Sequence, residues 1–340
     1  MTVKITRPSI DIRGTLDELN KPSGIAGNAM LAAETPQEQF NLIGAGRKNL
    51  IINGAMQVSQ RGDIDSSSAA AHLTYQIDRW RTVNNVAATI QRKVEQTLPT
   101  GERVNTLNIT MSATGYAALQ QRVEDYIYLR GKTVILSMWV KSNVRAGMSI
   151  YDGLSQPFAV PHSGNGEWEY ITVAHSCPTN ISDMRAELWT TYPVSADAYI
   201  EIANVQLEVG SIATDFEHRS YGEELALCQR YYQQFDYTGT YHHIGLGQAG
   251  GPFLCYMDFP FLNEMRTPPT ISHNGVGNFR LNSFSTGQDE VCNNIIYDFI
   301  TKYSARIRFY KATGDFTTNQ NAYINTESDN NASFYIDAEL

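Results

Sequence analysis

Apolar and polar residues alternate with a period of two over much of the chain after residue 48. Leu107, Ile109 and Met111 alternate with polar neighbours, as do Val134, Leu136, Met138 and Val140. Residues 169–174, 185–192 and 198–208 continue the series, separated by turn residues such as Gly164-Asn165-Gly166. Short strands at regular spacing, with no helical period between them, predict a β-sandwich. In the last strand Ile200 and Ile202 share a face, whereas Val205 and Leu207 fall one residue out of phase. That shift predicts either a β-bulge near Ala203-Asn204 or a strand covered on both faces.

Residues 205–209 read as the last strand of this body. Gly210 turns the chain, and 212–219 run on as an extended connector. Ser220 with Glu223 forms a capping box, and Leu225, Cys228 and Tyr232 make one apolar stripe of a helix. Leu227 and Tyr231 offer a second ridge beside it. Strands resume beyond: Phe253, Cys255, Met257 and Phe259 alternate, then Ala305, Ile307 and Phe309, then Phe334, Ile336 and Ala338. The polar stretches 236–251, 282–294 and 311–331 read as loops. This second sandwich is lean in large core residues. Residues 1–47 differ again. Pro8, Pro22 and Pro36 and five glycines punctuate short apolar pieces, with helix starts near Thr15 and at Thr35. Such a segment cannot fold on its own core and reads as an arm that orders on a partner.

The pattern therefore predicts an all-β protein in four parts. Residues 1–47 form an extended N-terminal arm and 48–219 a β-sandwich. Residues 220–234 form a short linking helix and 235–340 a smaller C-terminal β-sandwich head. At 340 residues the chain has room for these parts. Its formal charge of −9 disfavours nucleic acid and anionic membrane as main partners. No apolar run approaches a membrane span, and the first residues lack the apolar core of a signal peptide. The expectation is a soluble protein synthesised in a cytoplasm. Cys177, Cys228, Cys255 and Cys292 lack metal or disulfide spacing and read as buried free thiols.

Several short motifs carry chemistry elsewhere. Gly245 to Gly250 matches GxGxxG, but Gly251-Pro252 and an alternating strand follow instead of a helix, so it reads as a glycine loop and not a nucleotide site. Arg61-Gly62-Asp63 spells a cell-adhesion tripeptide of the kind that arises by chance. Asp215, Glu217 and His218 could ligate a cation, against the alternative that they pair with Arg219 or the helix N-terminus. His242 and His243, adjacent on a strand, would face opposite ways. No nucleophile elbow, HExxH helix or clustered acid pair is present, so no enzyme activity, cofactor or metal is expected. Trp80, Trp139, Trp168 and Trp189 all lie in the first sandwich, where a Trp is more often core. Trp139 reads as buried, and Trp168, after the turn at 164–167, as the best placed to meet a ligand.

The segment VQLEVGSIATDFEHRSYGEELALCQRYYQQ, residues 205–234, resembles the junction of tailed-bacteriophage fibre and tail-fibre structural proteins. NLIINGAMQVSQRG (49–62), IDRW (77–80) and FYIDAEL (334–340) extend the resemblance. GIAGNAMLAAETPQEQFNLIGAGRKN (24–49) is similar to attachment segments of marine cyanophage structural proteins. The resemblance implies a carbohydrate-binding-module-like jelly-roll followed by a C-terminal head. It also implies a virion protein attached to other structural proteins through residues 1–47, commonly a homotrimer, displaying its sandwiches for host-surface glycan recognition. On that view the glycan contacts are Tyr237, Tyr241, His242, Asn319, Asn321 and Tyr323 in the head, with Trp168 in the jelly-roll. A capsid-attached decoration fibre and a stand-alone carbohydrate-binding protein are the alternatives.

Overall fold

Period-two patterning becomes strands almost throughout. The computed structural model describes residues 48–340 except 63, 65–67, 159–160, 191–192, 284–288, 315, 328–330 and 340. The arm, with its two expected helices, lies outside the described residues. In chain order come β1 (Ser68–Ala70), β2 (Tyr75–Ile77), β3 (Trp80–Asn84), β4 (Ala88–Thr97), β5 (Arg103–Met111) and β6 (Ala117–Arg122). Then follow β7 (Thr133–Ser142), β8 (Ala146–Tyr151), β9 (Trp168–Ser176), β10 (Arg185–Thr190) and β11 (Tyr199–Val209). These pair antiparallel as a six-stranded sheet, β1-β4-β5-β11-β7-β9, and a five-stranded sheet, β2-β3-β6-β10-β8. Leu107, Ile109, Leu136, Met138, Ile200 and Ile202 from the first sheet meet Leu119, Met148, Ile150 and Leu188 from the second in one buried core. Each such side chain contributes about 1.5–3 kcal/mol on burial. The arrangement is an all-β jelly-roll.

The phase shift in β11 has both of its expected causes. Pairing with β7 slips between Ala203 and Gln206, and Asn204 takes φ +47° at the bulge. The outward face is also covered. Glu201 pairs with Lys93 at 2.7 Å and accepts from Thr106 Oγ1 at 2.6 Å. Gln206 and Glu208 clip the connector down: the Glu217 amide donates to Gln206 Oε1 and the Thr214 amide to Glu208 Oε1, both at 2.8 Å.

Helix α1 (Tyr221–Gln229) begins at the expected cap, Glu223 N donating to Ser220 Oγ at 3.4 Å. It is shorter than the sequence pattern suggests. Residues Tyr232–Tyr237 form β12 instead, because YYQQFDY has a partner strand in 332–337 and helix propensity yields to that pairing. Tyr231, expected on an exposed ridge, is buried against Arg79. The remaining strands are β13 (His243–Gly251), β14 (Leu254–Pro260), β15 (Thr270–His273), β16 (Phe279–Ser283) and β17 (Asp289–Val291). Last come β18 (Asn294–Asp298), β19 (Ser304–Tyr310), β20 (Asn321–Thr326) and β21 (Ala332–Asp337). They form a three-stranded sheet, β12-β21-β15, and a seven-stranded sheet, β17-β16-β20-β13-β14-β19-β18.

Two expectations for this region are corrected. The stretches read as loops contain β13, β17 and β20. The GxGxxG run is a central strand whose glycines leave room for neighbours: a Cβ on Gly245 would strike Met257 Sδ, and one on Gly247 would strike Cys255 Sγ. The core is also not lean. Phe259, Phe279, Phe309 and Phe334 interlock, with centroids 4.8 Å apart for Phe279–Phe334 and 5.4 Å for Phe259–Phe334.

Both cores belong to one unit, Asn49–Leu340, and the four fibre-like motifs converge where they meet. Arg219 donates from Nη1 to Ile51 O at 3.0 Å and lies 3.2 Å from Glu224, which accepts the Asn53 amide at 2.6 Å. Asn53 O accepts from Trp80 Nε1 at 3.0 Å. Arg79 pairs with Glu339, and Arg61 lies 3.2 Å from both Asp337 and Glu339 with its guanidinium 3.7 Å above the Tyr232 ring. Arg61 is thereby committed to this junction; Asp63 of the tripeptide lies outside the described residues. All four cysteines are free and buried.

Candidate functional site: an aromatic groove on the five-stranded sheet

Strand alternation sends Ala186 and Leu188 of β10 into the core and Arg185, Glu187 and Trp189 outward. Across the sheet, Arg81, Gln120, Glu187 and Ser149 stand directly opposite one another. The next row is Val83, Ala118, Trp189 and Gly147. The first row is a polar network. Glu187, 2% exposed, accepts from Trp189 Nε1 at 2.8 Å, Gln156 Nε2 at 2.6 Å, Ser149 Oγ at 3.3 Å and Gln120 Nε2. Arg81 Nε donates to Gln120 Oε1 at 2.5 Å. Burial, the largest cause, lowers the Arg81 pKa, though a guanidinium remains cationic at neutral pH.

Three of the donors converge on Oε2, and the Gln120 amide takes Oε1. Glu187 is thus a fixed post that sets the indole and the Gln156 amide. The second row supplies space, because the cross-strand neighbours of Trp189 are alanine and glycine. Tyr116 stands on one side, its ring centroid 6.0 Å from the indole, and Phe158, 60% exposed, on the other. A Cβ on Gly147 would come within 3.7 Å of Phe158 Cδ1. Two depressions flank Trp189. One, of 390 Å³, is lined by Asn85, Tyr116 and Thr190; the other, of 320 Å³, by Gly147, Gln156, Phe158 and Thr190. Among the described residues, no carboxylate lines either depression. A flat aromatic face between amide and hydroxyl groups suits a ligand with one apolar face and hydroxyl edges.

The residues singled out from sequence do not form one site. Tyr237 is half-buried at the end of β12, 6.1 Å from the His242 ring and 6.5 Å from Phe334, and burial raises its pKa. Tyr241 is exposed at φ +51° with the Arg280 guanidinium 5.7 Å from its ring. The His242 amide donates to Thr326 Oγ1 at 2.8 Å. Tyr323, on β20, lies opposite Leu246 and edge-on to His243 at 5.0 Å. Asn319 donates from its amide to Ala249 O at 2.8 Å, and Asn321 starts β20 opposite Gln248. So Tyr237, Tyr241 and His242 gather at one end of β13 and β20, and Asn319 and Asn321 at the other. Trp168 packs with Trp139 against Leu98, Val104 and Ala203 on the six-stranded sheet. Trp139 faces outward and is half-exposed, because Leu136, Met138 and Val140 take the inward positions of β7.

Sequence reasoning passed over Trp189. The available signal was RAELWT itself, a strand whose three outward positions are Arg, Glu and Trp. Among the described residues, no group of three or more His, Cys, Asp or Glu is placed to hold a metal ion. Glu217 accepts the Asn49 amide at 2.6 Å, and His218 lies 3.2 Å from Glu102.

No known family profile matches the sequence, and neither does any curated protein. Solved structures share part of the strand arrangement. A family 61 carbohydrate-binding module in complex with β-1,4-galactotriose is 14% identical, covering 48% of this chain and all of that one, at a TM-score of 0.33. A tandem pair of family 22 modules from Paenibacillus barcinonensis Xyn10C is 13% identical, covering 82% of this chain and 96% of that one, at 0.31. The enzymatically active domain of bacteriophage CBA120 tailspike protein 4 is 14% identical, covering 48% of this chain and 21% of that one, at 0.31. Likenesses this partial assign neither ligand nor activity.

Proposed function

We propose that this protein binds glycans, without cleaving them, through the Trp189 groove, as a fibre protein of a bacteriophage particle. One observation carries the sugar site: an outward indole is locked by a buried carboxylate between two small neighbours, with a depression on each side. A pyranose ring presents axial C–H groups to an aromatic face, while its equatorial hydroxyls reach Gln156 and Asn85. The indole is already oriented, so little side-chain entropy is lost on binding. Depressions of this size fall within the range of small-ligand sites. The virion part of the proposal is supported by the fibre-like motifs, which build the buried junction between the two cores. On this reading residues 1–47 attach the protein to other virion proteins, and a homotrimer presents several weak glycan sites together.

The test is calorimetric titration of the full chain with cellohexaose, xylohexaose, β-1,4-galactotriose and chitohexaose, with reducing ends measured in parallel. Binding lost in Trp189→Ala, with no new reducing ends, is the expected result. Undiminished binding in a folded Trp189→Ala protein, or release of reducing ends, would overturn it.

A further inference from the structure

The opposite face of the jelly-roll holds a second groove built from different residues. Its floor is the outward pair Trp139 and Tyr170, direct neighbours across β7 and β9, with the buried Ala203 of β11 on the other side of Trp139. Trp139 and Tyr170 lie 5.3 Å apart at 52°, and Tyr170 is 46% exposed. One wall is the connector segment 213–218, which Gln206 and Glu208 clip to β11. The other is the turn after β4, carrying Thr100 and Glu102. The cavity between them measures 560 Å³, larger than either depression beside Trp189.

At the floor of this groove stands Asn204, the bulge residue. It is 4% exposed, and its Nδ2 donates to Glu102 Oε1 at 3.0 Å. Its Oδ1 is buried and has no hydrogen-bond partner. A buried acceptor left unmade costs about 1–3 kcal/mol, so its persistence marks a place where a donor is expected. Asn204 lines both this groove and an adjoining 440 Å³ depression beside Gln57, Asn105 and Tyr221. His218, 3.2 Å from Glu102, stands in both cavities and ties the connector to the turn.

We propose that this groove is a second glycan site, independent of Trp189, for a neutral sugar. The inference rests on the protein being glycan-binding but not on the Trp189 groove being the place. A pyranose stacks on Tyr170 and Trp139, and a small turn of the Asn204 carboxamide brings its covered Oδ1 to one of the sugar hydroxyls. Ser137 supplies a further hydroxyl within the cavity lining. Glu102 and Asp215 at the rim repel phosphate, sulfate and uronate groups, which selects an uncharged sugar. The bulge serves this purpose, since a β-bulge re-aims a side chain that regular pairing would place elsewhere.

The experiment is titration of the same four oligosaccharides into wild type, Trp189→Ala, Tyr170→Ala and Asn204→Gly, with circular dichroism to establish folding. Glycine keeps the positive φ of residue 204 while removing the carboxamide. Two sites per chain are expected in wild type. Tyr170→Ala and Asn204→Gly should each remove one site or weaken it by about tenfold or more, leaving the Trp189 site intact. One site, abolished by Trp189→Ala and indifferent to Tyr170 and Asn204, would overturn the second groove and leave the first. One site, lost only in Tyr170→Ala and Asn204→Gly, would overturn the Trp189 reading and sustain this one. Binding by no oligosaccharide would overturn both.

Discussion

Arg79 and Glu339, 260 residues apart in the chain, meet as a buried ion pair. The Arg79 side chain is 1% exposed, its guanidinium lies 3.6 Å from the Tyr231 ring, and its Nη2 donates to Arg122 O at 2.7 Å. Burial alone would lower the Arg79 pKa; the charge of Glu339 and the contact with Tyr231 outweigh it and raise the value. This pair joins the IDRW turn of the jelly-roll to the last residues of the head.

Arg79→Ala removes one of the two guanidinium partners of the buried Glu339 carboxylate, leaving it Arg61 alone, and urea denaturation should register a loss of about 1–3 kcal/mol. Replacing both partners, Arg79→Met with Glu339→Leu, should recover most of it, because the half-compensated carboxylate is then gone and Arg61 keeps Asp337. A single variant as stable as wild type would remove the pair from the account of stability.

At the proposed glycan groove, Trp189→Ala should weaken binding of any recognised oligosaccharide by about tenfold or more, or ~1.4 kcal/mol upward. Its melting temperature should shift by only a few degrees, since the indole is outward and half-exposed. Glu187→Gln should also weaken binding, because a neutral amide cannot accept all four donors that fix Trp189 and Gln156. Titration and thermal melts of the two variants, taken together, distinguish lost recognition from lost folding.

The glycines of β13 make a matched pair. Gly247→Ala places a methyl group against Cys255 Sγ, Ile324 and the Tyr256 carbonyl, whereas a Cβ on Gly251 meets nothing within 4 Å. Overpacking of this kind costs about 1–3 kcal/mol. Chemical denaturation should therefore find Gly247→Ala clearly destabilised and Gly251→Ala close to wild type.

Burial raises the Cys177 thiol to about 11 and the Cys255 thiol to about 12 from an ordinary value near 9. The native protein should react slowly with a thiol reagent at pH 8 and promptly once denatured. The linkage sign follows from proton counting. Between pH 9 and 11 the folded state holds protons that the unfolded state has released, so stability falls as pH rises. The contribution is complete below pH 9 and is lost as pH passes the folded values. Urea midpoints measured from pH 8 to 11 should decline accordingly.

Deleting residues 1–47 should leave glycan binding unchanged, since the described linings of both grooves come from later residues, while particle incorporation is lost. Normal incorporation of the shortened protein would refute the attachment role. Light scattering of the full chain tests the homotrimer, which a 38.0 kDa species would refute.

The alternation of Leu107, Ile109 and Met111, and of Val134 to Val140, determined the jelly-roll strands, because a period of two has one solution when one face must leave water. The out-of-phase Val205 and Leu207 located the bulge, and Ser220 with Glu223 located the helix start, since both are local backbone events. Pairing between distant segments was not local, and there tertiary structure decided. YYQQFDY became β12 and GLGQAGG became β13 only because β21, β14 and β20 lay alongside. Strand parity puts Trp139 outward, against its reading as a buried residue, and puts Trp189 outward too, yet parity says nothing of their surroundings. Glu187 fixes the Trp189 indole through a ladder of residues from β3, β6, β8 and β10 whose register sequence does not state. Asn204 was legible as a kink in a strand. That its carbonyl oxygen would end buried and unpaired at the floor of a groove depended on Tyr170, Glu102 and the folded-back connector arriving from elsewhere in the chain.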